Sequence, residues 1–410
     1  MKKRLINHVL GLLLLVVSFA MSACSYDERL DTYDVEVRLS EAIESAKVEM
    51  TNNIGKSFDA VTDANGVAHF QIPAGIYSVS ASKVTDDDYF RRVCNGSLSD
   101  IAIGKANTGI ALPVKLTVMQ TSNPILIKEV YCGGCQKNDG SGKFAMDKCV
   151  ILYNNSSEAV SLDNMCIGII EPYNAEASTH SFMSGGKLDY ADKDWIPAIN
   201  GIWYFQDGIT IAPYSELVVN VHGAIDNTKT YSNSVNYANK DYYCMYDVES
   251  ASSDGVKYSN TMYYPSPADV IPTSHYLKAV KYGKGNAWAF SQTSPAVILF
   301  KTKDTTPKAF GELNSNIIYP NGREGNLVYA CLKVPREWVV DAVEIFNSNS
   351  LANCKKRLTS DLDNGYVSMI GGYGHSVIRK VEKQVDGHNV YQDTNNSTND
   401  FYEAENCSLR

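Results

Sequence analysis

Val35, Val37 and Leu39 alternate with Glu36 and Arg38, and Lys47-Val48-Glu49-Met50 repeats the alternation, so both stretches predict strands with one face in a core. From Val61 to Val79 the pattern continues through Asn65-Gly66 and Pro73-Ala74-Gly75, turn chemistry that predicts hairpins. A different pattern begins at Pro124. Ile125 to Val130, Cys149 to Tyr153 and Cys166 to Ile170 are apolar almost throughout, with Val160-Ser161-Leu162 set between Asn/Asp/Ser turns, and together they predict a sheet. Further strands are expected at Ile202 to Phe205, Glu216 to His222, Ala287 to Phe290, Ala296 to Lys301, Asn326 to Val334 and Trp338 to Phe346. The stretch 223–275 is rich in Tyr, Asn and Ser and weakly periodic, which predicts long loops.

The expected class is therefore all-β, with a first sandwich over 33–118 and a larger sandwich with long loops over 121–410. A chain of 410 residues with 44% hydrophobic residues is long and apolar enough for two such cores. A net charge of −9 leaves no broad basic footprint, so nucleic acid is not an expected partner.

The first residues add a location. Lys2-Lys3-Arg4 precedes an apolar run from Leu10 to Ala20 and then Met21-Ser22-Ala23-Cys24, which reads as a secretory signal over 1–23 rather than a spanning helix. The small residues before Cys24 resemble the bacterial lipobox, and that resemblance implies an acylated Cys24 tethering the protein to a membrane. Ser25-Tyr26-Asp27-Glu28, in an acidic leader over 24–32, resembles the export tag of Bacteroidetes lipoproteins. It implies an outer-membrane protein facing the cell exterior.

Two fold resemblances follow. Thr62-Asp63, Gly66, Ala68 and Phe70, followed by Pro73, Gly75 and Tyr77, resemble the transthyretin-like, carboxypeptidase-regulatory sandwich, an Ig-like fold. That family implies a spacer without catalytic residues, in which His69 is an ordinary strand residue. The strand Ile127-Lys128-Glu129-Val130 followed by Ile151 to Asn164 resembles lamin-tail-like domains and a family of uncharacterised Bacteroidetes surface lipoproteins. The likeness recurs at Ala212 to Val219, Val334 to Glu344, His375 to Lys380 and Asp393 to Phe401. It implies a fold and a location, and it names no activity.

Candidate chemistry is sparse. Cys132-Gly133-Gly134-Cys135 sits in a strand-to-loop context, without the helix N-terminus that depresses a redox thiol. With Cys149 and Cys166 it could supply four thiolates to zinc, but the second pair lacks knuckle spacing, so the four are expected to be structural and no metal is assigned. Ten cysteines in all, with Cys24 set aside for lipid, leave an odd number, so at least one thiol stands outside any internal disulfide scheme. Lys143 after Gly140-Ser141-Gly142 lacks the rest of a phosphate loop, and Gly371-Gly372-Tyr373-Gly374 reads as a turn. Asp393 to Asp400 offers oxygens at short spacing but not the order of a calcium loop, and Asx-turns account for its composition.

Tyr237, Tyr242, Tyr243, Tyr246, Tyr258, Tyr263 and Tyr264 crowd one loop-rich stretch with Asn and Ser, the composition of a recognition surface. The competing reading is loops folded over the sandwich with their rings buried. Tyr242, Tyr243, Tyr263 and Tyr264 are the expected contact residues. The chain is thus expected to be a non-enzymatic binding module without a cofactor, with a surface ligand or an outer-membrane transporter as its partner. The alternatives are an extracellular hydrolase acting on a surface polymer, with catalytic carboxylates on loops, and a structural protein of cell-surface assembly.

Overall fold

The alternation at Val35, Val37 and Leu39 becomes β1 (Thr32–Leu39), with those three side chains buried. This is seen in a computed structural model that describes residues 31–86, 91–121, 124–176, 181–249, 265–282, 288–371 and 373–410. The signal, Cys24, Tyr258, Tyr263 and Tyr264 lie outside the described residues. After β1 come β2 (Lys47–Asn52), β3 (Ser57–Val61), β4 (Val67–Pro73), β5 (Gly75–Asp86), β6 (Arg91–Ile103), β7 (Ile110–Val114) and β8 (Thr117–Thr121). They form a three-stranded sheet in the order β4-β1-β7 and a five-stranded sheet in the order β3-β2-β5-β6-β8. Val35, Val37, Val48, Met50, Phe70, Ile72, Tyr77 and Val79 fill the space between. The boundary expected at 118 falls inside β8, which pairs with β6.

The two turns expected to close hairpins do something else. The Asn65-Gly66 turn forms, with the Asp63 carboxylate accepting the N–H groups of Asn65 (2.9 Å) and Val67 (3.0 Å). Gly66 has φ 73°, and a Cβ there would meet the Glu41 carbonyl oxygen at 2.6 Å. Yet β3 and β4 belong to different sheets, and Pro73-Ala74-Gly75 likewise returns the chain from β4 to the other sheet at β5. Turn chemistry sets the local reversal of the chain; the alternation on either side sets which partner each strand finds.

The second body opens with β9 (Ile125–Tyr131), in a six-stranded sheet. Its order is Tyr243–Cys244, Glu216–Asn220, Cys149–Asn154, β9, Ser376–Arg379, Phe401–Ala404. A second six-stranded sheet runs Lys278–Val280, Ile202–Tyr204, Met165–Ile169, Ala296–Lys301, Val339–Asn347, Val367–Met369. The chain is an all-β protein built of sandwiches. The near-continuous apolar runs have a physical cause, since these strands are covered on both faces. Val150, Leu152 and Ile127 face the space between the sheets, while Cys149, Ile151, Tyr131 and Val218 face out under a separate apolar layer. A three-stranded sheet of Trp195–Ile199, Cys331–Pro335 and Ile317–Ile318 adds a further layer, and Ala198 packs near Gly168 and Ile298 of the second large sheet.

Three expected strands need correction. Trp288 to Phe290 is irregular chain, and Ala287 lies outside the described residues. Asn326 to Val334 divides into a 3-10 turn at Leu327–Tyr329 and the strand Cys331–Pro335, because the Asn326 side chain accepts the Val328 N–H and caps the turn. Glu216 to His222 stops pairing at Asn220.

Candidate functional site

Two features of the second body gather chemistry-bearing side chains: a buried seam of charge and an aromatic ledge. The seam begins with Asp341 on Val339–Asn347, one of two acidic residues in a mostly apolar strand. Its Oδ2 accepts the Ile127 N–H (2.5 Å) from β9 in the facing sheet and a guanidinium N–H of Arg379 (2.5 Å). Arg379, 1% exposed, also donates from Nε to the Ile127 carbonyl (2.8 Å) and from Nη1 to the Gln392 carbonyl (3.0 Å) and Asp393 (3.3 Å). Its guanidinium lies over the Phe401 ring at 4.3 Å, and Asp400 stands 3.8 Å away. Asp400 accepts the Thr394 N–H (2.8 Å), the Thr394 hydroxyl (2.7 Å) and the Asn396 N–H (3.2 Å).

Three carboxylates therefore share one buried guanidinium, two of them, Asp341 and Asp400, buried with it and Asp393 at its partly exposed edge. Burial pushes Asp341 up to about 7 despite Arg379 beside it, and pushes Asp400 up to about 6. Burial also works against the Arg379 charge, but Asp341, Asp393 and Asp400 outweigh it and hold the guanidinium above its ordinary value.

A second cluster continues the seam. Glu344 accepts the Arg357 N–H (2.7 Å) and Nε–H (3.3 Å) at Oε1, and Lys356 Nζ (2.6 Å) and the Leu358 N–H (3.0 Å) at Oε2. Arg357 is 0% exposed and sends its remaining N–H groups to the carbonyls of Pro172 (2.5 Å) and Ser294 (2.9 Å). Asp363, raised by burial, accepts the Ser397 N–H (2.7 Å) and hydroxyl (2.6 Å). The oxygens of Asp393 to Asp400 are thus turned inward to a guanidinium and to backbone N–H groups. The loop's outer side meets the first body, where Asn95 Nδ2 donates to the Thr394 carbonyl (2.5 Å) and Asn364 Nδ2 donates to the Gly96 carbonyl (2.9 Å). Chemically the seam is a sealed scaffold, since each acid already holds internal donors.

The ledge lies at the Tyr243–Cys244 end of the first six-stranded sheet. Tyr243 stacks on His275 with centroids 4.0 Å apart and planes at 12°, and His275 Nδ1 lies 3.1 Å from the Tyr242 carbonyl oxygen. Tyr246 and Tyr276 meet edge-on at 5.6 Å, and the Tyr246 hydroxyl lies 3.2 Å from Ser266 Oγ. All five rings are half-buried. Of the expected contact residues, Tyr242 and Tyr243 are in the ledge, and Tyr242 also rests on the apolar layer around Cys149 and Cys407. Tyr237 is wholly buried in that layer. His275 and Tyr276 escaped the sequence reading because a parallel bridge between Cys244 and Tyr276 joins segments far apart in the chain.

Residues 212–408 match the family described as a protein of unknown function (DUF4876). The matched segment carries the ledge, Asp341, Glu344, Arg357, Arg379 and the Asp393 to Asp400 loop. A crystal structure of a DUF4876 family protein from Bacteroides thetaiotaomicron superposes with a TM-score of 0.57 at 20% identity, covering 92% of this chain and 97% of that chain. At that identity the likeness is one of fold. No curated protein matches the chain.

The four thiols weighed as a zinc set are divided between layers, and Cys149 shares its apolar layer with Cys407, which lies inside the matched segment. Cys132 faces the space between the sheets, Cys166 is on the Met165–Ile169 strand of the other sheet, and Cys149 faces out. Burial pushes Cys132 and Cys135 up to about 12 and Cys166 well above its ordinary value. Among the described residues no group of three or more His, Cys, Asp or Glu side chains is arranged to hold a metal. Nearby, Tyr131 and Ser234 donate their hydroxyls to Asp147 at 2.6 and 2.7 Å. Lys148 is buried with its Nζ donating to the Phe290 carbonyl (2.6 Å), and burial lowers it to about 8.

Proposed function

We propose that this protein is a non-enzymatic surface module, tethered to the outer membrane through a lipid on Cys24, that binds a ligand or partner such as an outer-membrane transporter. On this reading the first body is a transthyretin-like spacer and the second a lamin-tail-like sandwich of a Bacteroidetes surface lipoprotein. The observation that carries it is the ledge of Tyr242, Tyr243, Tyr246, Tyr276 and His275. Half-buried Tyr rings held by stacking give large contact area at low entropic cost, and their hydroxyls supply polar specificity. The saturation of Asp341, Glu344, Asp363 and Asp400 by internal donors favours a scaffold over acid–base chemistry at those acids.

The test is capture of outer-membrane proteins and glycans by the lipidated protein, then by Tyr243→Ala and Tyr246→Ala variants with unchanged melting temperature. Truncating a contact aromatic costs on the order of 2 kcal/mol, roughly thirtyfold in affinity. Undiminished capture by both variants moves the binding surface elsewhere, and turnover of a surface glycan or peptide by the wild type replaces this reading with a hydrolase. Release of a Cys24→Ala variant into the soluble fraction checks the tether independently.

A further inference from the structure

Along Cys149–Asn154 the side chains alternate, so Val150 and Leu152 enter the core between the sheets while Cys149 and Ile151 point outward. The chain leaves the edge strand Phe401–Ala404 and turns back across that outward face. The Ser408 N–H donates to Glu129 Oε1 of β9 (3.0 Å), and the Ser408 hydroxyl donates to the same carboxylate. Two positions along the returning chain, the Arg410 guanidinium comes up against Gly374. This crossing brings Cys407 into the same small apolar layer as Cys149, shared with Tyr131, Val218, Val235 and Tyr237.

We propose that Cys149 and Cys407 are a disulfide-forming pair that locks segment 405–410 across the outer face of the first six-stranded sheet. No other described thiol competes for either partner in that layer: Cys132 is on the inner face, Cys166 in the other sheet, and Cys135 against Asp147. Cys149 is fixed in a central strand, whereas Cys407 sits in irregular chain between anchored neighbours, so the small approach that bonding requires falls on the segment free to make it. The chemistry needs an oxidant of the disulfide class. One thiolate attacks a sulfur of the exogenous disulfide and expels a thiol, the second thiolate displaces the other half, and two electrons and two protons leave with the two released thiols. Burial keeps both sulfurs from solvent while the segment is closed, so oxidation proceeds when it lifts or before it first closes.

The test is independent of where the protein resides. The full chain is refolded with oxidised glutathione, quenched with N-ethylmaleimide in denaturant, and digested without reduction for mass spectrometry. The expected product is a peptide containing Cys149 joined to one containing Cys407, lighter than the sum of the two reduced peptides by two hydrogens. Cys149→Ser and Cys407→Ser should each leave the partner thiol alkylated. Reduction should lower the melting temperature of the wild type and change that of neither variant. Should a serine variant fail to fold, the same digest of the refolded wild type still decides. Alkylation of both cysteines, or a bond from either one to Cys132, Cys135 or another thiol, overturns the proposal.

Discussion

The two bodies are held together differently. The first fills its interior with aliphatic and aromatic side chains, and its few buried polar groups have local or docking duties: Thr62 accepts the Ala46 N–H (2.9 Å), and Asn95 reaches out to the second body. The second has a larger apolar core and also buries Glu129, Asp147, Lys148, Asp341, Glu344, Arg357, Asp363, Arg379 and Asp400. A core of close-packed side chains tolerates small changes of shape in proportion to the volume lost, whereas a buried ion pair fails sharply when one partner goes. The first body should therefore respond to mutation gradually, the second abruptly.

All four tryptophans, Trp195, Trp203, Trp288 and Trp338, belong to the second body, so indole fluorescence reports its unfolding alone. The largest expected effect is Arg357→Ala, which removes the guanidinium that pairs with Glu344 and leaves the Pro172 and Ser294 carbonyls without their donor inside the core, and should destabilise that body by about 3 to 5 kcal/mol. A loss under about 1 kcal/mol would mean that the seam is solvated and the contrast false. In the first body Met50→Ala should cost about 2 to 4 kcal/mol, read by hydrogen exchange in β2 and β5, and should leave the fluorescence transition unmoved. If the two transitions shift together, the bodies unfold as one unit.

Acidity sharpens the comparison further. Asp341 and Asp400 have folded values raised to about 7 and about 6, so between about pH 4 and 7 the folded second body holds protons that the unfolded chain releases. The resulting stability is fully present below about pH 4 and is lost as pH rises through 7, at about 1.4 kcal/mol per pH unit for each proton. Denaturant melts followed by fluorescence should thus show the second body weaker at pH 7 than at pH 5. A flat or rising profile would show that Arg379 keeps all three carboxylates ionised. The smallest effect is expected from Asn95→Ala, about 1 kcal/mol for the bond to the Thr394 carbonyl, seen as faster proteolysis near 122–123 with both melts nearly unchanged.

Much of the fold was legible because burial follows local pattern. Val35/Val37/Leu39 and the run Cys149 to Tyr153 announce one-sided and two-sided strands, and both are where expected. Sheet membership was not legible, since Asn65-Gly66 makes the same turn whether or not its flanking strands pair. The seam was hidden for a related reason. Arg357 meets Pro172 across 185 positions and Asn95 meets Thr394 across 299, separations that no local motif spans. One signal was available: Asp341 and Glu344 stand inside an apolar strand, where a charge survives only with a buried partner. The ledge was half legible, in Tyr242 and Tyr243 but not in His275 and Tyr276.

The place of β1 in its sheet has a mechanical consequence. β1 lies between two partners, paired with β4 from Thr32 opposite Pro73 to Arg38 opposite Val67, and with β7 from Val35 opposite Ile110 to Leu39 opposite Val114. An edge strand under tension peels away one hydrogen bond at a time. A strand gripped on both sides must slide, and sliding loads both ladders together. Tension entering the first body at Thr32 therefore meets a strand gripped on both sides before any other, and must load both ladders before the body opens.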